Sequence, residues 1–157
     1  MKFPERVYTV EEVRKARALI EKGYKHRLRV RGSPEFRLKV KKALNLVKTA
    51  KHYDFLRTYI KKIIEIGGLT QLREEEASIW ASKYTVDEPV DAASLFIQKA
   101  YQMKDFIEGR LYYDTGETRA VQKRIEFLET LREKSKSPAI RKRCEELLES
   151  WTETTFP

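Results

Sequence analysis

The stretch YKHRLRVR, residues 24–31, is the clearest β-strand signal in a chain whose other periodic segments have helical spacing. His26, Leu28 and Val30 alternate with Lys and Arg, which places apolar and basic side chains on opposite sides of a strand. A second strand is predicted near residues 77–86. We therefore predict an α+β chain, mostly helical, with about five to six helices and a small sheet whose strands lie near 24–31 and 77–86.

Capping residues mark two of the predicted helices. Thr9 and Glu12 form a capping-box pattern before a helix that ends at Gly23. Ser33 and Pro34 are the N-cap and the first position of a second helix. Apolar residues at helical spacing predict four more helices, over residues 55–64, 90–108, 121–131 and 138–151.

Residues 69–86 are compatible with both kinds of element. The run Glu74-Glu75-Glu76 favours a helix locally, and Thr70 is a candidate cap, whereas residues 77–86 also fit a strand. We expect a helical turn first and a strand after it.

The length of 157 residues suits one domain with a sizeable core. We predict a single globular domain over residues 1–151 and a flexible tail over 152–157. No apolar run approaches the ~18 residues of a membrane span, and the N-terminus lacks the apolar region of a signal peptide. These observations predict a cytoplasmic protein with no membrane contact.

Cys144 is the only cysteine, which excludes an intramolecular disulfide and a four-cysteine zinc site. It lies on the apolar stripe of the last predicted helix, so we expect an unreactive core residue. Charged residues make up 36% of the chain, against one Asn and four Gln. That balance indicates a thermophilic source.

The net charge of +9 lies in one segment. Residues 24–51 hold ten Lys or Arg against one acid, Glu35, whereas the remaining residues hold 23 basic and 23 acidic groups. Such a block attracts a polyanion such as nucleic acid, unless it is only the solvated face of a charge-rich protein. The residues predicted to contact phosphates, without reading sequence, are Arg27, Arg29, Arg31, Arg37, Lys41 and Lys48.

The segment SLFIQKAYQMK, residues 94–104, places Gln98, Lys99 and Gln102 on a predicted helix. A zinc-peptidase helix with His-Glu-x-x-His has two imidazoles at this spacing, and its glutamate activates the metal-bound water. An amide oxygen is a poor zinc donor, and an ammonium group cannot accept a proton from water. The motif therefore predicts neither a metal site nor catalysis.

The surroundings of this motif resemble small zincin-like metallopeptidase domains over residues 24–132. The similarity lies in GSPEF (32–36) after a strand, ASLFI (93–97) before the motif and GETRAV (116–121) after it. The resemblance implies a domain that kept a metallopeptidase scaffold and lost the metal, a pseudoenzyme without a cofactor. The implied positions are Gln98, Gln102 and either Glu117 or Arg119 as ligands, and Lys99 as general base.

Two interpretations of this helix stay open. The polar residues mark a vestigial cleft, or Asp91, Gln98, Gln102 and Asp105 form a solvated polar stripe opposite an apolar face.

The sequence thus predicts a non-catalytic binding protein with a basic surface for an anionic partner such as nucleic acid. The alternatives are a protein-binding module that docks its partner at Gln98 and Gln102, and a hydrolase with a rearranged site. Eight aromatic residues are candidates for stacking on bases, although packing is their commoner fate. They are Tyr53, Phe55, Tyr59, Trp80, Tyr84, Tyr101, Tyr112 and Tyr113.

Overall fold

The computed structural model describes residues 2–110 and 115–155. Within these residues the chain forms six α-helices and a small mixed sheet, as the predicted mainly helical α+β class requires. The helices are α1 (Val10–Glu21), α2 (Pro34–Thr49), α3 (Tyr53–Tyr59), α4 (Pro89–Ile107), α5 (Thr115–Lys134) and α6 (Pro138–Thr155). The strands are β1 (Arg29–Arg31), β2 (Lys62–Ile66), β3 (Gln71–Arg73) and β4 (Ser78–Ser82).

The sheet has the strand order β1-β2-β4-β3. Strands β1, β2 and β4 are parallel, and β3 pairs with β4 in the antiparallel direction. The strands β1 and β3 are therefore the two edges of the sheet. The chain from β1 to β2 runs through α2 and α3, and β4 leads into α4.

The two faces of the sheet have different surroundings. One face carries Ile63, Ile79 and Ala81, which are 0% exposed and belong to a core that includes the apolar sides of α2 and α4. Side chains alternate between faces along a strand, so the residues between these point the other way. We call this second side the open sheet face. Its exposed or half-exposed members include Arg29, Arg31, Lys62, Ile64, Ile66 and Trp80.

Three helices begin at the side-chain caps that their sequences provide. Thr9 and Glu12 form the predicted capping box at α1. The Ser33 hydroxyl accepts the Phe36 amide at α2, and the Glu88 carboxylate accepts two amides at the start of α4. The predicted stripe of α2 is confirmed, since Phe36 is buried along with Val40, Ala43 and Val47.

The predicted strand over residues 24–31 is shorter in the structure. Only Arg29–Arg31 pair with another strand, and the residues before them belong to no strand. The amide of His26 donates instead to the carbonyl of Arg57 at 2.7 Å, at the end of α3. The predicted alternation is confirmed, because His26 is buried and Arg27 is exposed.

The predicted helix over residues 55–64 is wrong in its second half. Helix α3 ends at Tyr59, and Lys62–Ile66 form β2, which lies between β1 and β4. Ile63 and Ile64 are β-branched and flank both sides of this inner strand, which suits them to a sheet. A short apolar run does not distinguish a buried helix from a buried strand by spacing alone.

Residues 69–86 follow the predicted order of a helical turn and then a strand. A 3₁₀ turn over Glu74–Glu76 precedes β4, and Ala77 joins them in the left-handed region with φ 52°. Strand β3 was not predicted. The hydroxyl of Thr70 caps no helix and accepts the Ser82 amide at 3.0 Å.

The last part of the chain is helical. Helix α6 continues to Thr155, past the predicted start of the tail at residue 152. Residues 111–114 of the predicted connection lie outside the described residues. One cluster of buried side chains extends from Phe3 to Cys144, which is 0% exposed as predicted. Among the described residues, no helix has the length and apolar character needed to cross a membrane.

Candidate functional site

The three predicted arginines of the β1 segment lie at the sheet edge. Arg27, Arg29 and Arg31 are exposed and alternate with the half-buried Leu28 and Val30. The five residues line a shallow groove of about 410 Å³. None of the three arginines forms an ion pair with a described residue, so their charge stays available to a ligand.

The three predicted cations of α2 are also exposed. Arg37, Lys41 and Lys48 form no ion pair with a described residue. Lys48 differs from the other two because its Nζ lies 4.6 Å from the centre of the Tyr53 ring, a cation–π contact. The positive charge of Lys39 on the same helix is compensated by two acids. Asp87 and Glu35 both pair with it and raise its pKa, so it stays protonated.

The two groups of cations point to opposite sides of the sheet. The Ser33 amide at the start of α2 donates to Glu65 Oε1 at 2.8 Å, and Glu65 shares its sheet face with the buried Ile63. Helix α2 therefore covers the buried face, whereas Arg29 and Arg31 lie on the open sheet face. The predicted basic surface thus consists of two patches, one on each side of the sheet.

The predicted motif on α4 faces α5, where a buried arginine fills the space. Arg124 is 6% exposed, and its Nη1 donates to Gln98 Oε1 at 2.8 Å. The same guanidinium donates to Ser94 Oγ at 2.8 Å and to Asp91 Oδ1 at 2.6 Å. Its carbon lies 4.7 Å from the Trp151 ring centre on α6. We call this set the Arg124 network.

The predicted solvated stripe on α4 is wrong for two of its four residues, whereas Asp91 and Gln98 remain partly exposed. Gln102 and Asp105 are each 8% exposed, because α5 packs along this side of α4. Asp105 Oδ2 accepts from Arg119 Nη2 at 3.1 Å. A stripe of polar residues on a helix is solvated only if no second helix covers it, and the sequence of α4 does not contain that information.

The two implied positions for the third ligand have different surroundings. Glu117 is exposed, and Arg119 pairs with Asp105 one turn beyond Gln102. Burial lowers the pKa of Lys99, and the nearby Arg124 charge lowers it further, against the opposing effect of acidic neighbours. Glu117 is one of these acidic neighbours, so its charge acts on the implied general base Lys99.

A zinc ion does not fit these residues. The Gln98 oxygen already accepts a hydrogen bond from a guanidinium, whose charge repels a dication. Within residues 2–110 and 115–155, no three His, Cys, Asp or Glu side chains are close enough together to hold a metal ion.

The two histidines and the cysteine, which are the remaining candidates for acid–base or nucleophilic chemistry, are in structural positions. His26 is 2% exposed beside the rings of Phe3 and Tyr24, and its burial lowers its pKa to about 4. His52 Nδ1 lies 2.8 Å from a backbone carbonyl oxygen. Burial raises the pKa of Cys144 to about 11, so the thiolate that a nucleophile needs is disfavoured.

The predicted aromatic candidates have three different surroundings. Phe55 packs on Tyr59 and Tyr101, with ring centres 5.3 and 4.4 Å apart. Tyr84 is 72% exposed, and Trp80 is half-exposed on the open sheet face. Tyr112 and Tyr113 lie outside the described residues.

Sequence reasoning missed a cleft at the carboxyl ends of the parallel strands. Two adjoining cavities of about 460 and 810 Å³ share Glu65, Lys83 and Tyr84. The turn residues Gly67-Gly68 after β2 were the available signal, since ligands of open α/β sheets bind at this end. No histidine lines either cavity, so the Ser and Thr hydroxyls there lack the usual base of a nucleophile.

No protein-family model, curated protein or solved structure matches this chain. The resemblance to zincin-like domains therefore stays a prediction.

Proposed function

We propose that the protein is a non-catalytic binding protein that holds an anionic partner, above all nucleic acid, on the basic surface of residues 25–51. The proposal depends on one observation, which is that the predicted cations are exposed and lack acidic partners among the described residues. Arg27, Arg29, Arg31, Arg37, Lys41 and Lys48 are all exposed, and none is paired with a described acid. The rest of the chain is balanced in charge.

The expected binding is electrostatic. Unpaired Lys and Arg side chains release condensed counterions when they neutralise phosphates, so affinity falls with salt by a slope of about −0.9 per phosphate contact on duplex DNA. Such contacts position a polynucleotide without reading its bases. We therefore expect affinity for many sequences.

The geometry of α4 supports the non-catalytic part of the proposal. Gln98 is engaged by Arg124, and its amide group cannot accept a proton from water. A pseudoenzyme that descends from a metallopeptidase scaffold is consistent with this arrangement. The buried Cys144 is compatible with a reducing compartment, and the cytoplasm is the proposed location.

A salt titration of binding to labelled duplex DNA, single-stranded DNA and RNA tests the proposal. We expect micromolar or tighter binding at low salt and a steep loss as salt rises. A variant with all six cations changed to Ala loses this binding. The matched control removes six exposed cations elsewhere, namely Arg14, Lys15, Lys134, Lys136, Arg141 and Lys142, and keeps most of it.

Three outcomes contradict the proposal. The first is negligible affinity for every polynucleotide at low salt, and the second is an equal loss in the two six-residue variants. Stoichiometric zinc in the purified protein is the third, because it favours the hydrolase alternative. A partner protein recovered after nuclease treatment favours a protein-binding module instead.

A further inference from the structure

The open sheet face combines cations with isoleucine side chains and an indole ring, whereas the outer side of α2 combines them with the exposed Leu38. Arg31, Ile64 and Trp80 occupy one rung across β1, β2 and β4, and Arg29 and Lys62 share the rung below. Side chains on one rung of a sheet point to the same face. A row of positive charge therefore lies beside half-exposed isoleucine and tryptophan.

The tryptophan on this face is held in place by an arginine. The guanidinium of Arg73 lies 4.2 Å from the Trp80 ring centre, and its Nε and Nη2 atoms donate to Glu75 at 3.0 and 2.8 Å. The Arg73 side chain remains 35% exposed. This fixed pair offers a flat π surface of the kind on which nucleobases stack.

We propose that the open sheet face, and not the outer side of α2, binds the polyanion, and that the polyanion is single-stranded nucleic acid. The inference rests on the proposed function and narrows it to one face and one ligand class. The arginines of β1 hold phosphates, and bases lie on Ile64 and on the Arg73–Trp80 pair.

The spacing of the side chains supports this assignment. Arg29 and Arg31 are two residues apart in β1, so their Cα atoms are about 6.6 Å apart along the strand. Consecutive phosphates of an extended single strand have a comparable separation. Strands lie about 4.8 Å apart, which puts the apolar side chains of β2 and β4 within reach of bases attached to those phosphates.

The apolar side chains of the open sheet face distinguish a single strand from a duplex or an acidic peptide as the ligand. A duplex presents phosphates and buries its bases, so it has no group for Ile64 and Trp80 to contact. An acidic peptide satisfies the arginines but offers no planar ring to the Arg73–Trp80 pair. Only a single strand supplies both charge and exposed aromatic bases.

Two triple variants of equal charge test the location. R27A/R29A/R31A removes three cations from the sheet edge, and R37A/K41A/K48A removes three from α2. We expect affinity for a labelled dT20 oligonucleotide to fall at least about tenfold in the first variant and less than about threefold in the second. An equal loss, or a larger loss in the α2 variant, overturns the inference and leaves the proposed function standing.

Tryptophan fluorescence tests the ligand class. The chain has two tryptophans, so W151F leaves Trp80 as the reporter. We expect dT20 and U20 to quench this emission, whereas a 20-base-pair duplex and poly-glutamate do not. Equal quenching by the duplex, tighter binding of poly-glutamate, or no change with any single strand that binds overturns the inference. Absence of all polynucleotide binding overturns the proposed function as well.

Discussion

Two arginine-rich regions of this molecule differ in what surrounds their guanidinium groups. The arginines of β1 are exposed and form no ion pair with a described residue. Arg124 is 6% exposed and donates to Asp91, Ser94 and Gln98. The first arrangement leaves charge for a ligand, and the second uses its charge inside the fold. The same residue type is therefore exposed and unpaired with described acids in one region and part of the folded interior in the other.

Removal of Arg124 is the strongest test of the stabilising side of this comparison. We expect Arg124→Ala to lower the free energy of unfolding by about 3 to 4 kcal/mol, because it leaves Ser94, Gln98 and Asp91 without their donor. Urea denaturation measures the loss. Arg141→Ala, an exposed arginine on α6, is the control and changes little. A loss below about 1 kcal/mol for Arg124→Ala contradicts the assigned role.

The buried His26 lies next to the exposed Arg27 in sequence, so the same contrast between buried and exposed groups occurs within one segment. His26 points inward beside Arg27, and burial lowers its pKa from 6.5 to about 4. Between these pH values the unfolded chain binds more protons than the folded one, so stability falls as pH drops from 6.5 to 4. The loss amounts to roughly 3 kcal/mol at pH 4 and below.

The measurement is the free energy of unfolding as a function of pH, for the natural chain and for His26→Leu. Leu cannot titrate, so the difference in unfolding free energy between the two proteins should change between pH 6.5 and pH 4 by the amount assigned to His26. A constant difference from pH 7 to pH 4 shows that His26 is not held neutral by burial.

The turn between β1 and α2 joins the two basic patches and tolerates only glycine. A Cβ at Gly32 lies 2.7 Å from Glu65 Cβ and 2.7 Å from the Phe36 ring. We expect Gly32→Ala to cost about 2 kcal/mol, because the edge strand or the helix has to shift. Gly67→Ala is the matched control, since no atom lies within 4 Å of a Cβ there. Thermal or urea unfolding that ranks the two variants equally contradicts this reading of the turn.

The smallest expected effect concerns the sheet arginines themselves. R27A/R29A/R31A is expected to change the free energy of unfolding by less than about 0.5 kcal/mol, because the removed groups contact no described acid. The same urea experiment that measures Arg124→Ala applies here. A loss of more than about 1.5 kcal/mol means that these arginines act in the fold, and the contrast between the two regions then disappears.

Local signals in the sequence were sufficient for the starts of α1 and α2 and for the alternation before β1, whereas α5 begins at Thr115, before the predicted residue 121. Thr9 with Glu12 and Ser33 with Pro34 satisfy backbone amides a few residues away, so each pattern holds its own evidence. Cys144 on an apolar stripe was predictable for the same reason. Strand β2 was not, because Ile60, Ile63 and Ile64 suit a helix or an inner strand equally well.

The candidate sites depended on contacts between distant segments, which local patterns do not contain. Arg124 reaches Ser94 and Asp91 across 30 and 33 residues, and its position in α5 has no special spacing. Burial of Gln102 depends on where α5 packs. The six basic residues were chosen from charge density alone, and their division between two sides of the sheet depends on strand register.

The short edge strand β1 has one more consequence, for behaviour at high protein concentration. An edge strand presents unpaired backbone groups that invite a strand from another chain, and charged side chains discourage this pairing. Three arginines over five residues repel an identical edge. Removal of these charges is therefore expected to favour self-association through the β1 edge at high protein concentration.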